Sequence, residues 1–197
     1  KLAAKLAHLK GSEPLILVIP RGGVVVGDSV ARAWNARLDV IVPRKLGAPY
    51  NPEFAIGAVM HDGSYYLNTQ FVAALGVDER YIKREIEAQK QEIERRLELF
   101  RKSRGYNLKD RIVVLVDDGI ATGATVIAAV RWIKNQRPEK LILAVPVLPA
   151  ETLEMLRAEV DEVVFLLAPY EFGAVGEFYE DFTQVEDGEV IEIMGKY

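Results

Sequence analysis

The stretch Arg111-Ile-Val-Val-Leu-Val-Asp117-Asp118-Gly119-Ile-Ala121-Thr122-Gly123-Ala124-Thr125 decides the fold. Five consecutive apolar residues, Ile112–Val116, read as a strand buried on both faces, the pattern of a parallel sheet. Two carboxylates follow, then a turn punctuated by Gly119 and Gly123, then an apolar-periodic segment from Ala124 to Asn135 that reads as a helix. In open α/β sheets ligands collect at the carboxyl ends of strands, where this turn falls. Backbone N–H groups from Ala121 to Thr125 would converge at the helix N-terminus and cradle a phosphate dianion, with Thr122 and Thr125 adding hydroxyls. Asp117 and Asp118 would repel that phosphate if they touched it. They make sense as acceptors for ligand hydroxyls, and a phosphate at one end with a diol at the other describes a ribose 5-phosphate. The blander alternative is a capped turn, with Thr122 as helix N-cap.

The rest of the chain supports the same class. Strand-like runs at Leu15–Pro20, Leu38–Pro43, Lys140–Val147 and Val160–Leu167 alternate with helical segments at Gly23–Arg37 and near Glu151–Ala158. That alternation implies an α/β fold, a mostly parallel sheet flanked by helices through right-handed crossovers. Leu2, Leu6 and Leu9 predict a first packing helix, and the missing initiator Met leads us to expect residues before Lys1. Ala55–Met60 and Ser64–Leu67 flank an Asp62-Gly63 hairpin signal. Asp78–Arg104 reads as a long charged helix over the core, with a stripe of Ile82, Ile86, Ile93, Leu97 and Phe100. The acid-first pairs Glu79–Lys83, Glu92–Arg96 and Glu98–Lys102 support it, and the stripe also admits a homodimer.

With 197 residues, a net charge of −4 and no cysteine, the chain has no signature of a nucleic-acid binder, a disulfide scaffold or a thiolate metal site. Its apolar runs are too short for a membrane span, and a cytoplasmic location is expected. A P-loop, a dinucleotide fingerprint and a Ser-hydrolase elbow are all missing, and His8 and His61 read as isolated surface or turn residues.

The quoted stretch resembles the 5-phosphoribosyl-1-pyrophosphate (PRPP) motif of type I phosphoribosyltransferases. The resemblance implies a single domain over residues 1–197, with a helical excursion at about 68–105 and a C-terminal hood at about 168–197. It implies that Asp117 and Asp118 hold the ribose hydroxyls and that Ala121, Thr122, Gly123, Ala124 and Thr125 hold the 5-phosphate. Arg21-Gly22-Gly23, after the first strand, looks like the pyrophosphate loop of that family, where a non-proline cis peptide is common, and a strained backbone is expected at Arg21–Gly22. Arg44 and Lys45 open a segment similar to the mobile loop that closes over PRPP, with Arg44 on the pyrophosphate and Lys45 among the catalytic groups alongside Asp117 and Asp118. The run Pro43–Val59 looks like that of a poorly characterised bacterial subgroup. In the hood, Phe172 and Tyr179 are the expected stacking faces for an acceptor base. Ala121 stands where enzymes for 6-oxopurines carry Asp, which turns the expectation away from guanine and hypoxanthine. The implied activity is transfer of phosphoribose to a small nitrogenous acceptor, with Mg²⁺ brought by PRPP and no direct protein ligand. A PRPP- or nucleotide-binding regulator on the same fold is the alternative; a PRPP synthase fragment and a phosphate-ester hydrolase fit less well.

Overall fold

The computed structural model describes residues 1–101 and 105–197. A short helix α1 (Leu2–Lys5) and a single 3-10 turn bury Leu2, Leu6 and Leu9. The parallel sheet runs β2-β1-β6-β7-β8, formed by β1 (Leu15–Val18), β2 (Arg37–Val40), β6 (Ile112–Val116), β7 (Lys140–Val147) and β8 (Glu162–Leu167). Leu15 pairs with Arg37 on one side and Val113 on the other, which makes β1 and β6 neighbours at the centre. Alternate side chains go to opposite faces. Ile16, Val18, Val114 and Val116 pack under one layer of helices, whereas Leu15, Leu17, Val113 and Leu115 pack under the other. Both faces are covered, so β1 and β6 are continuous apolar runs with no polar alternation.

Helix α2 (Gly22–Trp34) ends where Asn35 takes a left-handed conformation at φ 52°. Asn tolerates that region better than other non-glycine residues, so the helix stops short of the expected Arg37 and β2 starts there instead. The helices α5 (Ala124–Asn135) and α6 (Ala150–Arg157) follow β6 and β7.

Between β2 and β6 the chain leaves the parallel sheet. It forms a separate antiparallel sheet, β3 (Arg44–Ala48), β4 (Asn51–Val59) and β5 (Tyr65–Leu67), then α3 (Thr69–Ala74) and the long α4 (Glu79–Phe100). On α4, Ile82, Ile86, Ile93 and Phe100 are buried, as the stripe requires. The Glu79–Lys83 and Glu92–Arg96 pairs form, at 3.8 and 2.7 Å. Lys102 and Arg104, and with them the Glu98–Lys102 pair, lie outside the described residues. Beyond β8, a 3-10 turn (Val175–Phe178) leads to helix α7 (Asp187–Met194), which the sequence reading subsumed in the hood. Its Val190, Ile193 and Met194 are buried, and it packs on α2 and α4. Among the described residues no helix is long and apolar enough to cross a membrane.

His61 occupies the β4–β5 turn, one of the two places expected for it, but it is not isolated there: its ring packs 4.9 Å from Trp132 and 5.4 Å from Tyr106. Burial pushes its pKa down, and its Nδ1 is buried without a hydrogen-bond partner.

Candidate active site

The loops at the carboxyl ends of β1 and β6 sit side by side because their strands are paired. Their packing dictates the glycines. A Cβ on Gly22 would lie 1.8 Å from Oδ2 of Asp118, and one on Gly23 would lie 3.0 Å from Cα of Asp117. The double glycine is therefore the surface on which the acid pair rests. The peptide bond between Pro20 and Arg21 is cis, one bond before the expected position.

Asp117 and Asp118 are half-buried at the end of β6. Oδ1 of Asp117 accepts the amide of Asp118 at 2.9 Å. Burial raises the pKa of Asp117 well above the usual carboxylate range, and the neighbouring Asp118 raises it further. Burial also raises Asp118, against hydrogen bonds that lower it. Among the described residues no cation contacts either acid, so the pair favours a ligand that donates hydrogen bonds or brings positive charge.

After the acids, Gly119 has Val175 of the hood 2.4 Å from where a Cβ would stand. Gly123 has φ 79° and is the N-cap of α5, with no side-chain cap. The first amides of α5 are thus left for a ligand, and Thr122 does not serve as the N-cap that the blander reading gave it. Thr152 of α6 donates to the carbonyl of Ala121 at 2.9 Å and fixes the loop from below. Ala121, Thr122, Gly123, Ala124 and Thr125 line a cleft of about 280 Å³ together with Asp117, Lys45 and Glu53.

An acid pair at a strand end, packed on a double glycine and followed by an uncapped helix, offers carboxylate acceptors beside free helix amides. Residues 1–177 match the phosphoribosyl transferase domain. The chain belongs to that family. It is 42% identical over 197 residues to two Mycobacterium tuberculosis proteins, from strains CDC 1551 and H37Rv, whose names give them provisionally as phosphoribosyl transferases. These alignments cover 100% of this chain and 44% of each relative, so the chain spans less than half the length of the curated relatives it matches. The crystal structure of TT1426 from Thermus thermophilus is 43% identical, with a TM-score of 0.81, covering 99% of this chain and 93% of that one. The parallel sheet with helices on both faces is the type I phosphoribosyl transferase fold.

In this phosphoribosyl transferase domain a second cleft, about 590 Å³, opens on the other side of the acid pair. Arg21, Gly22, Asp118, Tyr179 and Phe182 are among its lining residues. Arg44 and Lys45 diverge, because successive residues of a strand face opposite sides. Lys45 lies in the first cleft, its Nζ 2.5 Å from Oε2 of Glu53. Arg44 turns away and donates from Nε to Gln89 of α4 at 2.9 Å. Arg21 reaches α7, with NH1 3.5 Å from Asp187 and 3.9 Å from Glu186.

The hood aromatics divide as well. Phe172 stacks on Phe178 at 5.3 Å and is not among the lining residues of either cleft. The Tyr179 hydroxyl donates to the carbonyl of Asp118 at 2.5 Å, and its ring lies 5.0 Å from that of Phe182. Burial first, then the carboxylates of Asp118 and Asp117, raise the Tyr179 pKa, so the hydroxyl stays a donor. Glu53 and Asp187 escaped the sequence reading, whereas Phe182 was one of several available aromatic faces in the hood. Glu53 carried a signal, an acid across a short hairpin from Lys45; Asp187 is brought in by tertiary packing alone.

Proposed function

We propose that this domain binds PRPP and transfers its phosphoribosyl group to a nitrogenous base. The observation that supports this most is the convergence of Asp117, the uncapped α5 N-terminus and Lys45 on one cleft. The 5-phosphate sits on residues 121–125, the ribose hydroxyls donate to Asp117 and Asp118, and C1 faces the second cleft. Arg21, Gly22 and Gly23 receive the pyrophosphate. The C1–N bond forms as the C1–O bond breaks, pyrophosphate leaves with the bonding pair, and the acceptor's N–H proton passes to water. The domain's contribution is positional and electrostatic, with no covalent nucleophile.

The oxygen-only donors of the acid pair, both with pKa pushed up, suit a hard cation such as Mg²⁺. Among the described residues no three His, Cys, Asp or Glu side chains gather to hold a metal, so Mg²⁺ would be held on the ligand's own oxygens with Asp118 facing it. When bound it would offset the charge of the departing pyrophosphate.

Lys45 is exposed and paired with an exposed Glu53, a contact that contributes little and is readily exchanged for a ligand. Lys45→Ala is expected to weaken PRPP binding about tenfold, the scale of one charge-assisted hydrogen bond. Glu53→Gln should leave it unchanged or tighter; titration calorimetry separates the two.

The acceptor lies in the second cleft, with Phe182 as its stacking face in place of Phe172. Phe182→Ala should raise the acceptor KM by up to about a hundredfold, since base stacking contributes roughly 1–3 kcal/mol. Phe172→Ala should leave it unchanged. The test of the whole reading is pyrophosphate release from PRPP and Mg²⁺ across a panel of nucleobases, adenine-like and non-purine bases included. Silence with every base, or an absence of PRPP binding, would refute it.

A further inference from the structure

Helix α4 belongs to the excursion, yet one of its arginines meets the same carboxylate that Arg21, in the loop after β1, reaches. Glu92 of α4 holds two arginines: Arg95 through Nε at 2.8 Å and NH2 at 2.9 Å, and Arg96 through Nε at 2.7 Å. The bonds from Arg95, opposed by burial and reinforced by Arg96, draw the Glu92 pKa down to about 2. Beyond Glu92, Arg95 extends NH2 to within 3.7 Å of Oδ2 of Asp187, in the first turn of α7. The other oxygen of that carboxylate, Oδ1, lies 3.5 Å from NH1 of Arg21. One carboxylate therefore has a guanidinium on each oxygen, one from the glycine loop and one from α4. Arg44 of β3 adds to the same field: burial, then Arg96 and more weakly Arg95, lower its pKa. Arg44, Arg95 and Arg96 thus cluster around Glu92, and Arg95 meets Arg21 across the Asp187 carboxylate.

We propose that Arg95 is a pyrophosphate-binding residue that forms a two-arginine clamp with Arg21, and that Asp187 stands in for the anion in the free protein. This rests on the reading that the Arg21 loop receives pyrophosphate. A carboxylate and a phosphate accept the same planar fork, so a site that holds one suits the other. The contacts to Asp187 are long and the groups partly exposed, which makes them weak. A ligand with more charge and shorter contacts displaces the carboxylate, which is left in the first turn of α7, where the helix dipole favours it. The excursion thereby completes a site whose other parts lie on the parallel sheet.

Calorimetric titrations of inorganic pyrophosphate with Mg²⁺, and separately of ribose 5-phosphate, test this on the intact chain. Arg95→Gln should weaken pyrophosphate about tenfold and leave ribose 5-phosphate unchanged, because the latter carries no pyrophosphate. Arg95→Lys should recover part of the loss, since it keeps the charge without the fork. Arg84→Gln, on the same helix, should change neither ligand. Asp187→Asn should tighten pyrophosphate by removing its competitor. If wild-type protein binds neither probe, the proposed function itself fails. If wild-type protein binds pyrophosphate and Arg95→Gln binds it equally well, the clamp alone is overturned. Weaker pyrophosphate binding by Asp187→Asn would overturn the stand-in role.

Discussion

Converting both Asp117 and Asp118 to Asn is expected to abolish measurable PRPP binding while making the free protein more stable. Each carboxylate is positioned to accept charge-assisted hydrogen bonds, and each such bond contributes about 1.5–3 kcal/mol, or roughly tenfold to a hundredfold in affinity. Losing both should weaken binding by at least about a hundredfold, with sublinear addition because the acids are adjacent. The stability gain follows from the direction of the pKa shifts. A carboxyl whose folded pKa is raised binds more protons when folded than when unfolded. Stability then falls as pH rises from the ordinary carboxylate range, about 3.9, to the raised folded value, and stays lowered above it. Asn cannot ionise and so escapes that cost at neutral pH. The unfolding midpoint should rise by roughly 2–4 °C for each kcal/mol relieved in a chain of this size. The gain should fade as the buffer is acidified toward the ordinary carboxylate range, because protonation of the wild-type acids removes the cost of holding buried charge. Thermal unfolding at neutral and acidic pH, alongside PRPP titration, measures both effects. A destabilised double variant would mean that the acids cap the turn, and an unchanged affinity would remove them from the ribose.

The segment that carried the sequence reading was legible because its signals are local. A continuous apolar run, an acid pair and a glycine turn fix Ile112–Val116 and Ala124–Asn135 without reference to the rest of the chain. Where tertiary contacts decide, the sequence was mute. Arg44 and Lys45 look equivalent as neighbours, yet the pleat of β3 sends one under α4 and the other into the cleft. Arg21 and Asp187 are 166 positions apart, and nothing in either neighbourhood foretells their contact. The buried ring of His61 depends on Tyr106 and Trp132, which come from elements distant in sequence. Phe172 and Phe182 were indistinguishable as aromatic faces until the hood folded one onto Phe178 and the other toward the second cleft.

Gly22→Ala and Gly27→Ala should have opposite consequences although both add one methyl group to α2. At Gly22 the new carbon would stand 1.8 Å from Oδ2 and 2.6 Å from Cγ of Asp118. The obstacle is the end of a short side chain facing a cleft, so the carboxylate can swing aside at little cost to the fold. That swing removes it from the ribose position, and a displacement of about 1 Å in a reacting site can cost on the order of a hundredfold in rate. PRPP binding and turnover should therefore collapse in a protein that melts near the wild-type temperature. At Gly27 the new carbon would stand 2.1 Å from Cγ1 of Val18, a fully buried strand residue with nowhere to move. Overpacking of this kind costs typically about 1–3 kcal/mol. Gly27→Ala should lower the unfolding midpoint by several degrees, on the scale of roughly 2–4 °C per kcal/mol, while the folded fraction binds PRPP as before. The pair separates a glycine required by the site from one required by the core. Equal loss of stability in both variants, with binding retained by Gly22→Ala, would show that Asp118 does not need the place where the structure puts it.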